Sequence, residues 1–289
     1  MPGSPLIYLN GHLLPATYAR ISPLDYGFLY GFSVFETLRS YNGCLFRLPE
    51  HLARLRKGAD SLGIPAVPDD SEIEKAVRQV LQGNNLKEAR VRLTLSAGEG
   101  SSSADPASCG EPSLVIAAAA FVPPDEAAYH KGYRVIVSQY RRDSRSPLSG
   151  IKSGNYLSSL LARAAAREQG AEDAVLLNER GSLSECSTGN MFLVRNEGLI
   201  TPDEKSGILP GITRREVLRL APQVGLKVEE REVTPEEIFQ ADEAFITSSL
   251  LEIMPLTRVN GSTLGKGLRG AVTNKLQVAY SAAVSGEAV

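Results

Sequence analysis

The first fifty residues alternate short apolar runs with turn residues. LIYLNGHLLP, residues 6–15, sets Asn10-Gly11 between two apolar runs, the strongest short-range signal for a hairpin. SVFETLRSYNGCLFRL, residues 33–48, repeats the device with Asn42-Gly43. The period then changes. PEHLARLRKGADSLGI has apolar residues at Leu52, Leu55, Ala59 and Leu62, and that 3-4-3 spacing predicts a helix. SEIEKAVRQVLQGN predicts a second helix with a Gly-Asn stop. ARVRLTLSAG, residues 89–98, alternates as a strand does. A polar Gly/Ser/Pro loop, GEGSSSADPASCGEP, follows, and SLVIAAAAFVPP reads as a buried strand closed by Pro123-Pro124.

The second half mixes the two periods. GYRVIVSQY predicts a strand, and NYLSSLLARAAAREQG a helix of good helix formers ended by Gly170. DAVLLNERGSLSECSTGNMFLVRNEGLITP reads as a strand meander with glycine at its turns. GITRREVLRLAPQVG predicts a helix, and DEAFITSSLLEIMPLTRVNG a strand, a break and a strand. The expected architecture is mixed α/β (α+β) in two domains. The smaller covers residues 1–122, a linker runs over 123–130, and the larger covers 131–289.

Composition narrows the function classes. Of 289 residues, 43% are hydrophobic and 22% charged, as in an ordinary globular protein. A net charge of −2 argues against a nucleic-acid partner. No stretch approaches 18 uninterrupted apolar residues, and the N-terminus lacks the charged head and apolar core of a signal peptide. Three widely separated cysteines make neither a CxxC pair nor a disulfide framework, which fits a reducing, cytoplasmic setting. The three histidines, His12, His51 and His130, have no metal-ligand spacing, so no metal is expected.

Five features carry candidate chemistry, each beside a plainer reading. Lys152, in SPLSGIKSGNYL, sits between a predicted strand and a predicted helix. Held away from water its amine becomes a usable nucleophile; on an open loop it is only a surface charge. Glu185, in SECSTGNMFLV, lies between apolar strand segments. A carboxylate there either meets a protonated ring nitrogen or pairs with an arginine or backbone amides. Ile212 and Thr213 open a helix after Gly211, where free amides and a hydroxyl suit an anion, although an ordinary capped helix is commoner. Ser248 and Ser249 sit at a break between strands, as phosphate ligands or as a polar turn. Arg54 supplies a cation for a phosphate or is surface charge. GSTLGKGLR is not a P-loop: it is one residue short and has Gly267 where Ser or Thr is required.

In combination these stretches resemble one family. YGFSVFETLR, RLPEHLARL, IKSGNYLSSLLA, SECSTGNMFLV, GILPGITR and FITSSLLEIMP follow the order found in class IV aminotransferases. These are the fold-type IV enzymes of pyridoxal 5′-phosphate, a family that includes branched-chain and D-amino acid aminotransferases and 4-amino-4-deoxychorismate lyases. The resemblance spans LIYLNG to about Leu276. It implies that Lys152 is the Schiff-base lysine and the proton carrier at the substrate carbon. It implies that Glu185 binds the pyridine nitrogen, and that Arg54, Ile212, Thr213, Ser248 and Ser249 hold the cofactor phosphate. It also implies a homodimer. A protein that kept this fold and lost the chemistry is disfavoured because Lys152 and Glu185 are both present.

Substrate choice turns on departures from the branched-chain pattern. Those enzymes read FEG[IV]R where this chain has Phe35-Glu36-Thr37-Leu38-Arg39, and they place three residues between the lysine and the Asn-Tyr pair where this chain has two. The 99–112 loop lacks the basic pair with which D-amino acid enzymes grip a carboxylate. The expectation is therefore an aminodeoxychorismate lyase, making 4-aminobenzoate and pyruvate by β-elimination. The alternative is an aminotransferase acting on an amino acid through the same lysine. Phe32, Val34, Thr37 and Leu250 are the expected substrate-side residues, with Arg141, Arg142 or Arg145 as carboxylate grips.

Overall fold

The computed structural model describes residues 4–101 and 103–287; residues 1–3 and 288–289, and Ser102 within the 99–112 loop, lie outside the described residues. Contacts divide the chain into two units. The first holds the N-terminal residues through Val122 together with Ile151–Asn155 and Glu287, and the second holds Pro123–Gly150 and Tyr156–Gly286.

In the first unit, β1 (Leu6–Leu9) and β2 (His12–Pro15) form the first expected hairpin. Asn10 and Gly11 both take positive φ, 45° and 91°, which gives the turn a twist that matches its strands. A short α1 (Tyr26–Tyr30), capped by the Asp25 side chain, precedes β3 (Ser33–Tyr41) and β4 (Cys44–Leu45). Asn42 and Gly43 turn this second hairpin in the same way, with φ of 49° and 89°. Then come α2 (Leu48–Leu62), α3 (Asp70–Gly83), β5 (Ala89–Ser96) and β6 (Ser113–Ala120). The strands make one antiparallel sheet in the order β2-β1-β6-β5-β3-β4.

The pleat of β3 gives this sheet two different faces. Val34 and Leu38 point into a core with Val91, Leu93 and Ile116, covered by Leu52 and Leu55 of α2 and Ile73 and Val77 of α3. Phe35, Thr37 and Arg39 lie on the other face, opposite Thr94, Arg92 and Arg90. The segment Ile151–Asn155 joins the sheet at the start of β3. The Phe35 N–H donates to the Lys152 carbonyl at 2.9 Å, the Gly154 N–H donates to the Ser33 carbonyl at 2.8 Å, and Val34 bridges Ser153. The sequence reading placed Lys152 in the larger C-terminal domain, whereas these bonds group it with the first unit.

The second unit begins with α4 (Glu126–Lys131), which occupies most of the stretch expected to be linker. β7 (Tyr133–Arg142), α5 (Leu157–Glu168), β8 (Asp173–Asn178), β9 (Leu183–Cys186), β10 (Asn190–Arg195) and β11 (Gly198–Pro202) follow. After them come α6 (Ile212–Leu220), β12 (Val228–Arg231), α7 (Pro235–Phe239), β13 (Glu243–Ser248), β14 (Glu252–Val259), β15 (Ser262–Thr263) and α8 (Ala271–Glu287). The sheet is mixed, in the order β12-β11-β10-β13-β14-β7-β8-β9, with β15 beside β14. Its core joins Val175, Met191, Leu193, Ile246, Met254 and Leu256. Among the described residues no helix is long and apolar enough to cross a membrane.

Leu93 has no exposed surface and sits at the centre of the first sheet. Replacing it by alanine removes buried methyl groups from a packed core, so urea unfolding of Leu93→Ala is expected to show a loss of about 2–5 kcal/mol.

Candidate active site

Each unit carries its own cluster of candidate side chains. In the first, the backbone bonds to β3 fix Lys152, and its Nζ stands 4.6 Å from the centre of the Phe35 ring. The Arg92 guanidinium lies 3.6 Å from the centre of the same ring. Phe35 thus presents its π-electrons to two cations on the non-core face of the sheet. The sequence reading passed over Phe35 and chose its neighbours. Thr37 shares the face with Phe35, but Val34 points the other way and is 1% exposed in the core. Phe32 is half-buried just ahead of β3, and Leu250 is half-buried in the turn between β13 and β14.

On the core face, Glu36 is fully buried and answered twice. Arg54 grips it through Nε to Oε1 at 2.8 Å and Nη2 to Oε2 at 2.7 Å, while His51 Nδ1 reaches Oε2 at 2.7 Å. Burial alone would raise the Glu36 pKa, but Arg54 and then His51 outweigh it and bring the carboxyl down to about 2. Burial pushes the His51 pKa down, and the charges of Arg54 and Lys152 add to this against the pull of Glu36. A neutral His51 must carry its proton on Nδ1 to donate to Glu36. Arg54 is therefore no loose surface charge: one edge of its guanidinium is fixed on Glu36. A glutamate on the core face of a strand, with His51 and Arg54 three apart on α2, was a readable signal of this pairing.

In the second unit, Glu185 on β9 is 6% exposed and bound from three directions. Arg142, the last residue of β7, donates Nη1 to Oε1 at 2.5 Å. Asn190 Nδ2 and the Leu209 N–H both donate to Oε2, each at 2.9 Å. The arginine and backbone-amide partners weighed for Glu185 are thus present. Arg142 is consequently removed from the candidates for gripping a substrate carboxylate. Arg145 is an exposed residue between Asp143 and Glu179, and Arg141 leans on the Asn178 carbonyl at 3.5 Å, so neither stands out as a grip.

Close to Glu185 lies the start of α6. Its N-cap is Gly211, no side chain caps it, and Ile212 and Thr213 are buried in its first turn. The first amides of a helix of nine residues, with the Thr213 hydroxyl, make a donor set for an anion. β10 pairs with β13 through Asn190 and Thr247, which brings Ser248 to the same end of the sheet. A Cβ on Gly189 would lie 2.4 Å from the Thr247 carbonyl, so this corner closes only because glycine stands there. The Ser248 hydroxyl accepts the Leu251 N–H at 3.2 Å, and Ser249 begins the turn. Tyr156, absent from the sequence-derived set, donates its hydroxyl to the Ser187 carbonyl at 2.8 Å. Its pKa is pushed up to about 12, by burial first and then by the charges of Glu185 and Asp173. Among the described residues no group of His, Cys, Asp or Glu is placed to hold a metal ion.

One buried carboxylate beside one uncapped helix N-terminus fits a ligand with a basic ring nitrogen and a phosphate. The comparisons with known proteins agree. Residues 33–259 match the model of amino-transferase class IV. The chain belongs to the class IV aminotransferases. It is a pyridoxal 5′-phosphate enzyme of that family, a transaminase or a lyase. It is 37% identical over 274 residues to a putative branched-chain-amino-acid aminotransferase of Methanocaldococcus jannaschii, covering 94% of this chain and 93% of that one. It is 32% identical over 277 residues to an aminodeoxychorismate lyase of Bacillus subtilis, covering 95% of this chain and 93% of that one. The T.th. branched-chain amino acid aminotransferase, solved with pyridoxamine 5′-phosphate, matches with a TM-score of 0.92 at 31% identity, over 99% of this chain and 95% of that one. The solved enzyme shares the mixed α/β architecture expected from the sequence.

The Glu36 cluster makes acid stability predictable. Both shifted pKa values lie below their unfolded references, so the unfolded chain binds more protons and stability falls as pH falls. His51 contributes to the loss below pH 6.5, and Glu36 from pH 4.5 down to about 2. In Glu36→Gln the lower step should vanish from the pH dependence of urea unfolding. At neutral pH that variant should also lose about 3–5 kcal/mol, because Arg54 keeps its charge without a counter-charge.

Proposed function

We propose that this class IV enzyme acts as an aminodeoxychorismate lyase, with Lys152 as the residue that carries the cofactor and moves the proton. The observation that carries the lyase reading is the non-core face of the first sheet. There Phe35 offers a flat ring under Lys152 and Arg92, with Thr37 in place of the glycine of the branched-chain pattern. Opposite Arg92 on the same face stands the small side chain of Ala117. A flat, cationic shelf suits an unsaturated ring that bears a carboxylate and becomes planar as it turns aromatic.

In this reading Glu185 binds the pyridine nitrogen and keeps it protonated. Ile212, Thr213, Ser248 and Ser249 hold the phosphate with backbone amides and hydroxyls, and Arg54 adds a cation. Pyridoxal phosphate, when bound, draws electrons away from the carbon that carries the substrate amine. The Lys152 amine removes the proton from that carbon. The enolpyruvyl C–O bond then breaks with its electron pair leaving on oxygen, and the ring becomes aromatic. The departing enolate takes up a proton to become pyruvate, and the Lys152 amine takes the place of the 4-aminobenzoate amine as that product leaves. Arg142 holds the Glu185 carboxylate in place, and the Tyr156 hydroxyl stays protonated as a donor near it.

A second reading is supported by the 37% identity to the putative branched-chain enzyme, the highest among the relatives described above. As an aminotransferase the same Lys152 would shuttle the proton with no C–O bond breaking; the cofactor would supply the place where the amino group stays, and water would release the keto acid. Each unit also leaves apolar side chains in water: Tyr18, Leu24 and Phe28 in the first, Leu157, Leu160 and Leu161 in the second. These exposed side chains support assembly as a homodimer, and three cysteines outside any disulfide fit a cytoplasmic setting.

The test has two parts. Borohydride reduction of the holoenzyme followed by peptide mass analysis should place the cofactor on Lys152, and Lys152→Ala should show no such adduct. The purified enzyme is then given aminodeoxychorismate and, separately, a panel of L- and D-amino acids with keto-acid acceptors. Formation of 4-aminobenzoate with a silent panel establishes the lyase. Keto acid formed from the panel without 4-aminobenzoate overturns it in favour of the aminotransferase.

A further inference from the structure

Asn190 begins β10 and is 3% exposed. Its Nδ2 donates to Glu185 Oε2 at 2.9 Å and to the Leu209 carbonyl at 2.8 Å. The Leu209 N–H returns to the same Glu185 oxygen at 2.9 Å. Both amide hydrogens of Asn190 thus meet acceptors, and neither a carboxylate nor a hydroxyl of similar size can supply two donors. Two residues after Leu209 stands Gly211, the N-cap of α6. Its φ of −71° and ψ of 138° are open to any L-residue. Yet a Cβ there would lie 2.0 Å from Asn190 Oδ1 and 3.2 Å from its Cγ. The amide of Asn190, not the backbone conformation, demands glycine at 211.

We infer that Asn190 is a positioning residue that fixes the separation between the Glu185 carboxylate and the first turn of α6. The inference rests on the assignment of Glu185 and α6 to the ring nitrogen and the phosphate of the cofactor. A ligand gripped at both ends gains from two anchors only when their spacing matches its own length; anchors that drift must be ordered anew at each binding event. Asn190 removes that drift. One face of its amide is bonded to the carboxylate and to the approach to α6, and the other is packed against the α6 N-cap. Its backbone lies opposite Thr247, so the β13 end that carries Ser248 belongs to the same rigid piece.

The experiment compares wild type, Asn190→Ala, Gly211→Ala and the double variant as apoproteins. Equilibrium dialysis gives the affinity for pyridoxal phosphate and, separately, for pyridoxal, which lacks the phosphate. Thermal melting of each apoprotein reports folding. Each single variant should bind pyridoxal phosphate about 10-fold or more weakly, the scale of a lost orienting contact. The preference for pyridoxal phosphate over pyridoxal should shrink, because the phosphate no longer arrives in register with the ring. The double variant should bind no more weakly than Asn190→Ala, since the new methyl group takes space that the amide has left. Losses that add in the double variant, or folded single variants with wild-type affinity and preference, overturn the inference. Should Asn190→Ala not fold, Gly211→Ala decides the matter, because it keeps every hydrogen-bonding group and chiefly changes the room for Asn190, its 2.0 Å clash with Oδ1 far outweighing a 3.3 Å approach to Arg214 Cβ. A wild-type apoprotein that binds no pyridoxal phosphate overturns the cofactor assignment itself.

Discussion

A carboxylate withdrawn from water must be met by donors on both oxygens, and the second unit is organised around that demand at Glu185. An unanswered charge in an interior costs several kcal/mol, so such a group is stable only where the fold brings donors to it. The donors come from three separate places along the chain: the end of β7, the start of β10 and the approach to α6. β7 lies one strand from β9 across β8, whereas β13, β14, β7 and β8 separate β10 from β9 along the sheet. The short connection at residues 187–189, closed by the Cys186 N–H donating to the Gly189 carbonyl at 2.8 Å, is what brings β10 back to β9. The helix start that suits a phosphate is held by the same bonds.

The first unit meets a similar demand with different means. Glu36 is satisfied by Arg54 and His51 from one helix, and the arrangement sits on the core side of β3. One residue earlier, Phe35 turns to the other face and meets Lys152. The two-residue period of a strand thus lets one element hold an ion cluster within a core and an aromatic ring beside the Lys152 amine. Structural and chemical duties are separated by direction and not by distance along the chain.

Much of the fold could be read from residue patterns because the signals were local. Asn-Gly pairs marked both hairpins, and the 3-4-3 apolar spacing marked α2. The elements that escaped have diluted signals. In α8 the buried residues Thr273, Leu276, Tyr280 and Val284 form a helical stripe, but exposed Val278 blurs it, and α4 and α7 are too short to show a period. Position alone did not single out Lys152, because what holds it is a pair of backbone bonds to a strand more than a hundred residues earlier. The role expected for Lys152 rests on the resemblance to a family and on no local rule. The assignment of Val34 to the substrate side ignored the pleat, which sends that side chain into the core. Arg142 looked available because its partner, Glu185, lies forty-three residues further on.

The segment Ile151–Asn155 belongs to the first unit while the chain on either side of it belongs to the second. The polypeptide therefore passes from one unit to the other at residue 122, back at 150 and out again at 155. On a ribosome, the carbonyl of Ser33 and the amide of Phe35 wait for partners that are made well over a hundred residues later. Every strand and helix of the first sheet can pair as soon as β6 emerges, yet its border at β3 is completed only with Gly154. Lys152 is delivered in that same late piece, so a nascent chain has its scaffold before it has the amine proposed to carry the cofactor.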